Sequence, residues 1–383
     1  MLLILFSSLF SSFVLAILLV RYNNLHSKYS ADSDTAGIQK FHANPVPRIG
    51  GIPIFLGLSI GLLVAGILNA SIEFFYFMLA CIPAFSFGLL EDLTKRIGPL
   101  PRLLATFVSA ALGFYLLQGT INRIDIGWAD HLLQSYTLLA FLFTIFAAGG
   151  VAHAFNIIDG YNGLSGTIAI LTLLALAYVA FKVNDILLMS LCFAMIGAIS
   201  GFLFLNFPHG LIFAGDGGAY LAGFTIAEIS ILLIARHPHV SAWFPLLVVI
   251  YPAFETVFTI YRRKFLQKRS IGHPDALHLH QIIYKRVVLW MVASKEAKHL
   301  TQRNSMTSPY LWVLSSSSVI PAMLFWDHTY VLMAFSVLFI LSYIYLYKSI
   351  VRFRTPRWIM IDEQKKRNKK LNASFKSKPD SET

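Results

Sequence analysis

The sequence predicts an all-α, polytopic integral membrane bundle of about eleven transmembrane helices, with the N-terminus outside and the C-terminus cytoplasmic. Composition, recurring apolar runs and the placement of positive charge each lead there. Of 383 residues, 56% are hydrophobic and only 13% charged, and the mean hydropathy is +0.66. A soluble domain of this length does not look like that.

A helix needs roughly 20 residues to cross a bilayer core. Apolar runs of that order recur at 2–20, 51–68, 74–90, 103–117, 132–152, 164–181, 186–205, 217–235, 242–261, 309–326 and 330–347. The first resembles a secretory signal only in its hydrophobicity, since no positive residue precedes it and no small-residue cleavage pattern follows. Cys81 and Cys192 fall inside spans, which leaves neither a disulfide framework nor a zinc site.

Of the 31 Lys and Arg, all but Arg123, Lys182 and Arg236 lie in alternate loops. Such asymmetry marks the cytoplasmic side. Residues 1–350 are expected to form one membrane-embedded domain with a cytoplasmic loop at 262–308, and 351–383 a basic, disordered cytoplasmic tail. The net charge of +12 points to anionic lipid headgroups and away from nucleic acid, because the positives stand beside helix ends.

The cytoplasmic loops also hold the polar clusters. They are the run from His42 to Gly51, which includes Arg48; Glu91-Asp92 with Lys95 and Arg96; Asn156 to Gly163; Asn206 with Phe213-Ala214-Gly215-Asp216-Gly217-Gly218; and Asp275 with His278-Leu279-His280. Asp216 and Asp159 each have a plain reading as helix N-caps. Glycines on both sides of Asp216 also let backbone approach a bulky anion, where a carboxylate holds Mg²⁺ against a diphosphate. Glu91 and Asp92 close an apolar helix, an end that disfavours negative charge by about 0.3–1 kcal/mol. Paired carboxylates there suit metal binding or deprotonation of a phosphate.

His278 and His280, two apart, share a side only in extended chain. Glu228 and Glu255 lie inside spans, Glu255 about 9 Å from its helix end at 1.5 Å per residue. Membrane-buried carboxylates are costly and often functional, and a paired structural role is the alternative.

Taken in order, from Phe41 to Arg286, these clusters resemble the polyprenyl-phosphate N-acetylhexosamine-1-phosphate transferases, the group that includes phospho-MurNAc-pentapeptide translocase. The resemblance implies transfer of a sugar-1-phosphate from a UDP-sugar to polyprenyl (undecaprenyl) phosphate, as in the initiation of O-antigen, at the cytoplasmic face of a bacterial inner membrane. It implies Asp216 as the ligand of Mg²⁺, with Mn²⁺ as a substitute, and Asp92, Glu91 and Asp159 as catalytic. It also implies Phe213 stacked on uracil, Asn206 and Asn156 at the nucleotide, His278 and His280 at the diphosphate or sugar, and Arg48 as a further substrate contact.

A homodimer is compatible with this reading. Three positions depart from the family's pattern: Glu91 stands for an Asp, Asn162 for an Asp, and Gln281 for a His. The rival class is a transporter, for which inverted repeats and midplane polar groups are expected. A CDP-alcohol phosphatidyltransferase would need an Asp-rich helix pattern that is absent from the sequence.

Overall fold

The computed structural model describes residues 1–32, 46–267, 277–288 and 298–352. His42, Asn44, Pro45, Asp275 and the tail from 353 onward lie outside the described residues. The helices are α1 Leu2–Arg21, α2 Asn23–Ser30, α3 Gly51–Asn69, α4 Glu73–Thr94, α5 Pro99–Leu116, α6 Gly127–Ser135, α7 Thr137–Ile158, α8 Leu164–Lys182, α9 Ile186–Asn206, α10 Gly215–Arg236, α11 Trp243–Val248, α12 Ile250–Tyr261, α13 Leu279–Ile283, α14 Lys298–Leu324 and α15 Thr329–Arg352. A two-residue antiparallel pair, Ala31–Asp32 with Val46–Pro47, precedes α3.

Among the described residues nine helices, α1, α3, α4, α5, α7, α8, α9, α10 and α15, are long and apolar enough to cross a membrane. The other two expected crossings are helical but differ in form. The run 242–261 is broken at Val249 into α11 and α12. Pro252 explains the break, since its ring clashes with the carbonyl four residues earlier, that of Val248. The hydroxyl of Thr172 donates to that carbonyl at 3.3 Å, so the freed group keeps a partner inside the bundle. All but the last two residues of the run 309–326 lie in α14, which starts earlier than expected, within the 262–308 loop, on polar turns that include Gln302, Arg303 and Asn304.

α10 is the central helix, buried along nearly its whole length. It packs on α3, α4, α7 and α8. α1 lies at the periphery against α3 and α9. Small residues allow that close approach, as expected where no hydrophobic force drives helices together in lipid, and Ser12 Oγ donates to the carbonyl of Ala198 at 2.7 Å. Pro83 sits inside α4, and the neighbouring amide of Ala84 donates across the helix pair to Ser109 Oγ at 2.9 Å.

Candidate active site

The site is built on the N-terminus of α10. A Cβ added at Gly88 of α4 would lie 2.6 Å from the amide nitrogen of Gly217, so the two helices touch backbone to backbone, a closeness only glycine allows. One turn beyond Gly88, Asp92 reaches the end of α10. Its Oδ1 accepts the amide of Asp216 and its Oδ2 that of Gly217, both at 2.9 Å, with the side chain 1% exposed. These are amides that a helix leaves without intrahelical partners, and a carboxylate there also meets the positive end of the helix dipole. Each such charged bond stabilises by about 1.5–3 kcal/mol.

Asp92 therefore caps α10 from another helix. The plain reading of Asp216 as the cap fails: Ala214 holds that position without a side-chain bond. The Asp216 carboxylate turns elsewhere. Its Oδ1 lies 3.1 Å from Asn156 Nδ2 and 3.3 Å from Arg48 Nη2, and its Oδ2 forms an ion pair with Arg102. Arg48 is carried by a ribbon in which Phe213 donates to the carbonyl of Pro47 at 2.9 Å, and Gly50 and Gly51 donate at 2.8 Å to the carbonyls of Phe213 and Ala214. The chain turns into α10 at Gly215, whose φ of +69° suits glycine alone at no cost.

Arg48 also lies 3.9 Å from Asp92. Asp159, just past α7 and partly exposed, is pushed up to about 7 by desolvation, against the pull of Arg48 and a hydrogen bond from Ser165. It is not the N-cap of α8, a position Gly163 holds.

The structure thus brings together Arg48, Asp92, Asn156 and Asp216, with Asp159 within the field of Arg48. Glu91 points away, its Oε2 accepting the amide of Ile97 at 2.6 Å and bracing the turn between α4 and α5. Asn206 is 6% exposed and clamps two segments: its Oδ1 accepts the amide of Gly163 at 2.7 Å and its Nδ2 donates to the carbonyl of Ile212 at 2.8 Å. Phe213 remains half-buried beside the ribbon.

His278 and His280 do share a side, but not through extended chain. His278 caps α13 and His280 lies in its first turn, with the rings stacked at 5.2 Å and 6°. A helix start directly after His278, and not a run of extended chain, brings the two rings together. The pair adjoins the 159–163 loop, His280 meeting the ring of Tyr161 edge-on at 5.5 Å.

Sequence reasoning missed Arg102, Asn304 and their neighbours. Arg102 was legible as a loop charge only, although Pro99 at the first position of α5 marks a helix start and so places Arg102 in its first turn. Asn304 and Ser308, on polar turns of α14, grip Asn162: its amide donates to Asn304 Oδ1 at 2.7 Å and its carbonyl accepts Ser308 Oγ at 2.6 Å. Asn162 Nδ2 donates to Ser305 Oγ at 3.2 Å, a bond that the family's Asp could not make.

The fold and the site define a polytopic membrane enzyme whose acidic and cationic side chains converge at one end of its central helix. Residues 74–234 match the model of glycosyl transferase family 4. The chain is similar to a protein of Bacillus subtilis (strain 168) named probable undecaprenyl-phosphate N-acetylglucosaminyl 1-phosphate transferase, 29% identical over 64% of this chain and 68% of that protein. It is also similar to the undecaprenyl-phosphate alpha-N-acetylglucosaminyl 1-phosphate transferases of Escherichia coli (strain K12), at 27%, and Yersinia pestis, at 28%, each over 66% of this chain and 69% of the relative. The likeness to glycosyl transferase family 4 covers residues 74–234, and the chain is an enzyme of the phosphotransferase type.

Proposed function

We propose that this enzyme transfers a sugar-1-phosphate, an N-acetylhexosamine-1-phosphate by its relatives' names, from a UDP-sugar to undecaprenyl phosphate and releases UMP. The observation that carries the reading is the carboxylate of Asp216, on which two guanidinium groups and one amide converge at the head of α10. A lipid phosphate oxygen attacks the sugar-bearing phosphorus, a new P–O bond forms, and the bond to the UMP oxygen breaks.

Arg48 and Arg102 are the groups that meet the phosphates, since guanidinium binds phosphate by paired hydrogen bonds. The two amides at the head of α10 already belong to Asp92, so side chains supply the positive charge. Asp92 fixes the place of Asp216, and a spare lone pair on each carboxylate oxygen leaves it able to take the proton of the lipid phosphate. Asp159 and Asn156 face the donor from α7, while His278 and His280 approach it from α13. Glu91 acts through the turn it braces.

The donor set also fits Mg²⁺ or Mn²⁺. Asp216 and the amide oxygen of Asn156 are hard oxygen ligands, and Mg²⁺ commonly takes one or two carboxylates together with substrate phosphates. Among the described residues no group of three or more His, Cys, Asp or Glu is gathered, so the fit rests on those two and the phosphates. When bound, the ion would neutralise the diphosphate as a Lewis acid.

In this reading the reaction starts a lipid-linked surface glycan such as O-antigen, at the cytoplasmic face of the bacterial inner membrane, with basic helix ends on anionic lipid. Purified protein given undecaprenyl phosphate, Mg²⁺ and a panel of UDP-sugars should release UMP with at least one of them; no release with any would sink the reading. A reporter fused after Arg102 should lie inside the cell and one after Lys182 outside, and the reverse would overturn the orientation.

A further inference from the structure

Glu255 stands apart from the carboxylates at the head of α10. It lies within α12, is 0% exposed, and among the described residues its side-chain bonds run toward the segment that carries His278 and toward α15. Its Oε1 lies 3.1 Å from His278 Nδ1 and accepts the amide of Leu279 at 3.1 Å; its Oε2 accepts the hydroxyl of Tyr343 at 2.7 Å. Thr259 Oγ1, one turn along α12, is 3.2 Å from the same Nδ1. The backbone on the other side of His278 is tied as well, because Tyr347 donates to the carbonyl of Leu277 at 3.1 Å.

A buried carboxylate is costly unless hydrogen-bonded, and here two donors, the Leu279 amide and the Tyr343 hydroxyl, converge on it beside a ring nitrogen of His278. An imidazole nitrogen facing that carboxylate is stabilised when it carries the proton, and the hydrogen bond at one ring nitrogen sets the state of the other. Carboxylates that hold a histidine in this way fix both its ring orientation and its tautomer. Stacking against the ring of His280 at 6° restricts the one rotation left to the ring.

We propose that Glu255 is a positioning residue for His278: it holds the imidazole by a protonated Nδ1 and so leaves Nε2 to face the substrate. The proposal rests on the reading above, in which His278 contacts the donor. It predicts that Glu255 and His278 act as one unit. His278→Ala and Glu255→Ala should each lower kcat about a hundredfold, the scale of a misplaced contact, while the double variant is no slower than either single one. Glu255→Gln, which keeps an oxygen for Leu279 and Nδ1 but lacks the charge, should fold like the parent and lose about tenfold in kcat with little change in KM.

A second measurement needs no turnover. In protein labelled with ¹⁵N-histidine, the signal missing from His278→Ala identifies His278, and it should report a proton on Nδ1 that becomes less favoured in Glu255→Ala. A wild-type ring with a bare Nδ1, accepting a proton from a neutral Glu255, overturns the proposal. So do multiplying losses in the double variant, or a fully active His278→Ala beside a crippled Glu255→Ala. Absence of UMP release by the wild type would instead defeat the transferase reading, and the tautomer would then judge the Glu255 pair alone.

Discussion

The two ends of α10 carry charge in opposite ways. At its head, Asp216 draws Arg48, Arg102 and Asn156 onto one carboxylate. At its foot, Arg236 and His237 both close on Asp185 at 2.8 Å, while Arg123 reaches the carbonyl of Val240 at 2.6 Å and pairs with Asp125. Asp185 also caps α9 through the amide of Leu188 at 3.0 Å. The foot is a brace in which Asp185 and Asp125 tie helix ends and loops together. The head turns two guanidinium groups toward the one carboxylate of Asp216, with Asp92 3.9 Å from Arg48, and these are the side chains that an anionic ligand can engage.

The largest effect that sharpens this contrast is expected at Asp216. Asp216→Asn should lower turnover about a thousandfold, the scale of losing a preorganised electrostatic group, with melting temperature and extraction from the membrane unchanged. Unfolding with retained specific activity would make the head a brace like the foot. Next comes the neighbouring acidic pair. Asp92→Glu displaces two amide contacts by about 1 Å and should cost about a hundredfold in rate, whereas Glu91→Asp, which touches only the turn at Ile97, should keep most activity. Equal losses would overturn the leading place of Asp92.

The foot should answer in stability alone. Asp185→Ala removes the α9 cap and should cost about 1–2 kcal/mol, read as a lower melting temperature with UMP release unchanged. The smallest effect is at Asp125, whose carboxyl is held below the usual range: burial works against ionisation, but the amide of Ala242, Arg123 and Ser241 outweigh it. Because the folded pKa lies below the unfolded one, the stability it gives is complete above about pH 4. It drains away as pH falls through the folded value. Asp125→Asn should flatten the fall in melting temperature below about pH 4; an unaltered acid profile would remove Asp125 from the brace.

Much of this contrast was readable in the chain. The apolar runs gave the helices because lipid leaves the backbone no other partner, and Gly215-Asp216-Gly217-Gly218 marked the head of α10. What escaped were relations between distant segments. Asp92 capping α10, Arg102 reaching Asp216, and Glu255 gripping His278 all depend on helix crossings that periodicity does not encode. The break at Val249 was signalled by Pro252, yet an unbroken apolar run concealed it. Strand geometry is the one local pattern that sets His278 and His280 on a common side in the sequence, because no apolar period announces so short a helix as α13.

The bonds from α14 to Asn162 bear on inheritance. The stretch that matches the family, 74–234, contains Asn162, but the groups that fasten it, Asn304 and Ser308, with Trp312 donating to the carbonyl of Gly163 at 3.1 Å, lie well downstream. The matched stretch is therefore not a transplantable cassette. A graft of 74–234 into a relative would carry the acidic residues intact yet leave the 159–163 loop fastened by another protein's helix, and Asn162 with α14 would have to travel together.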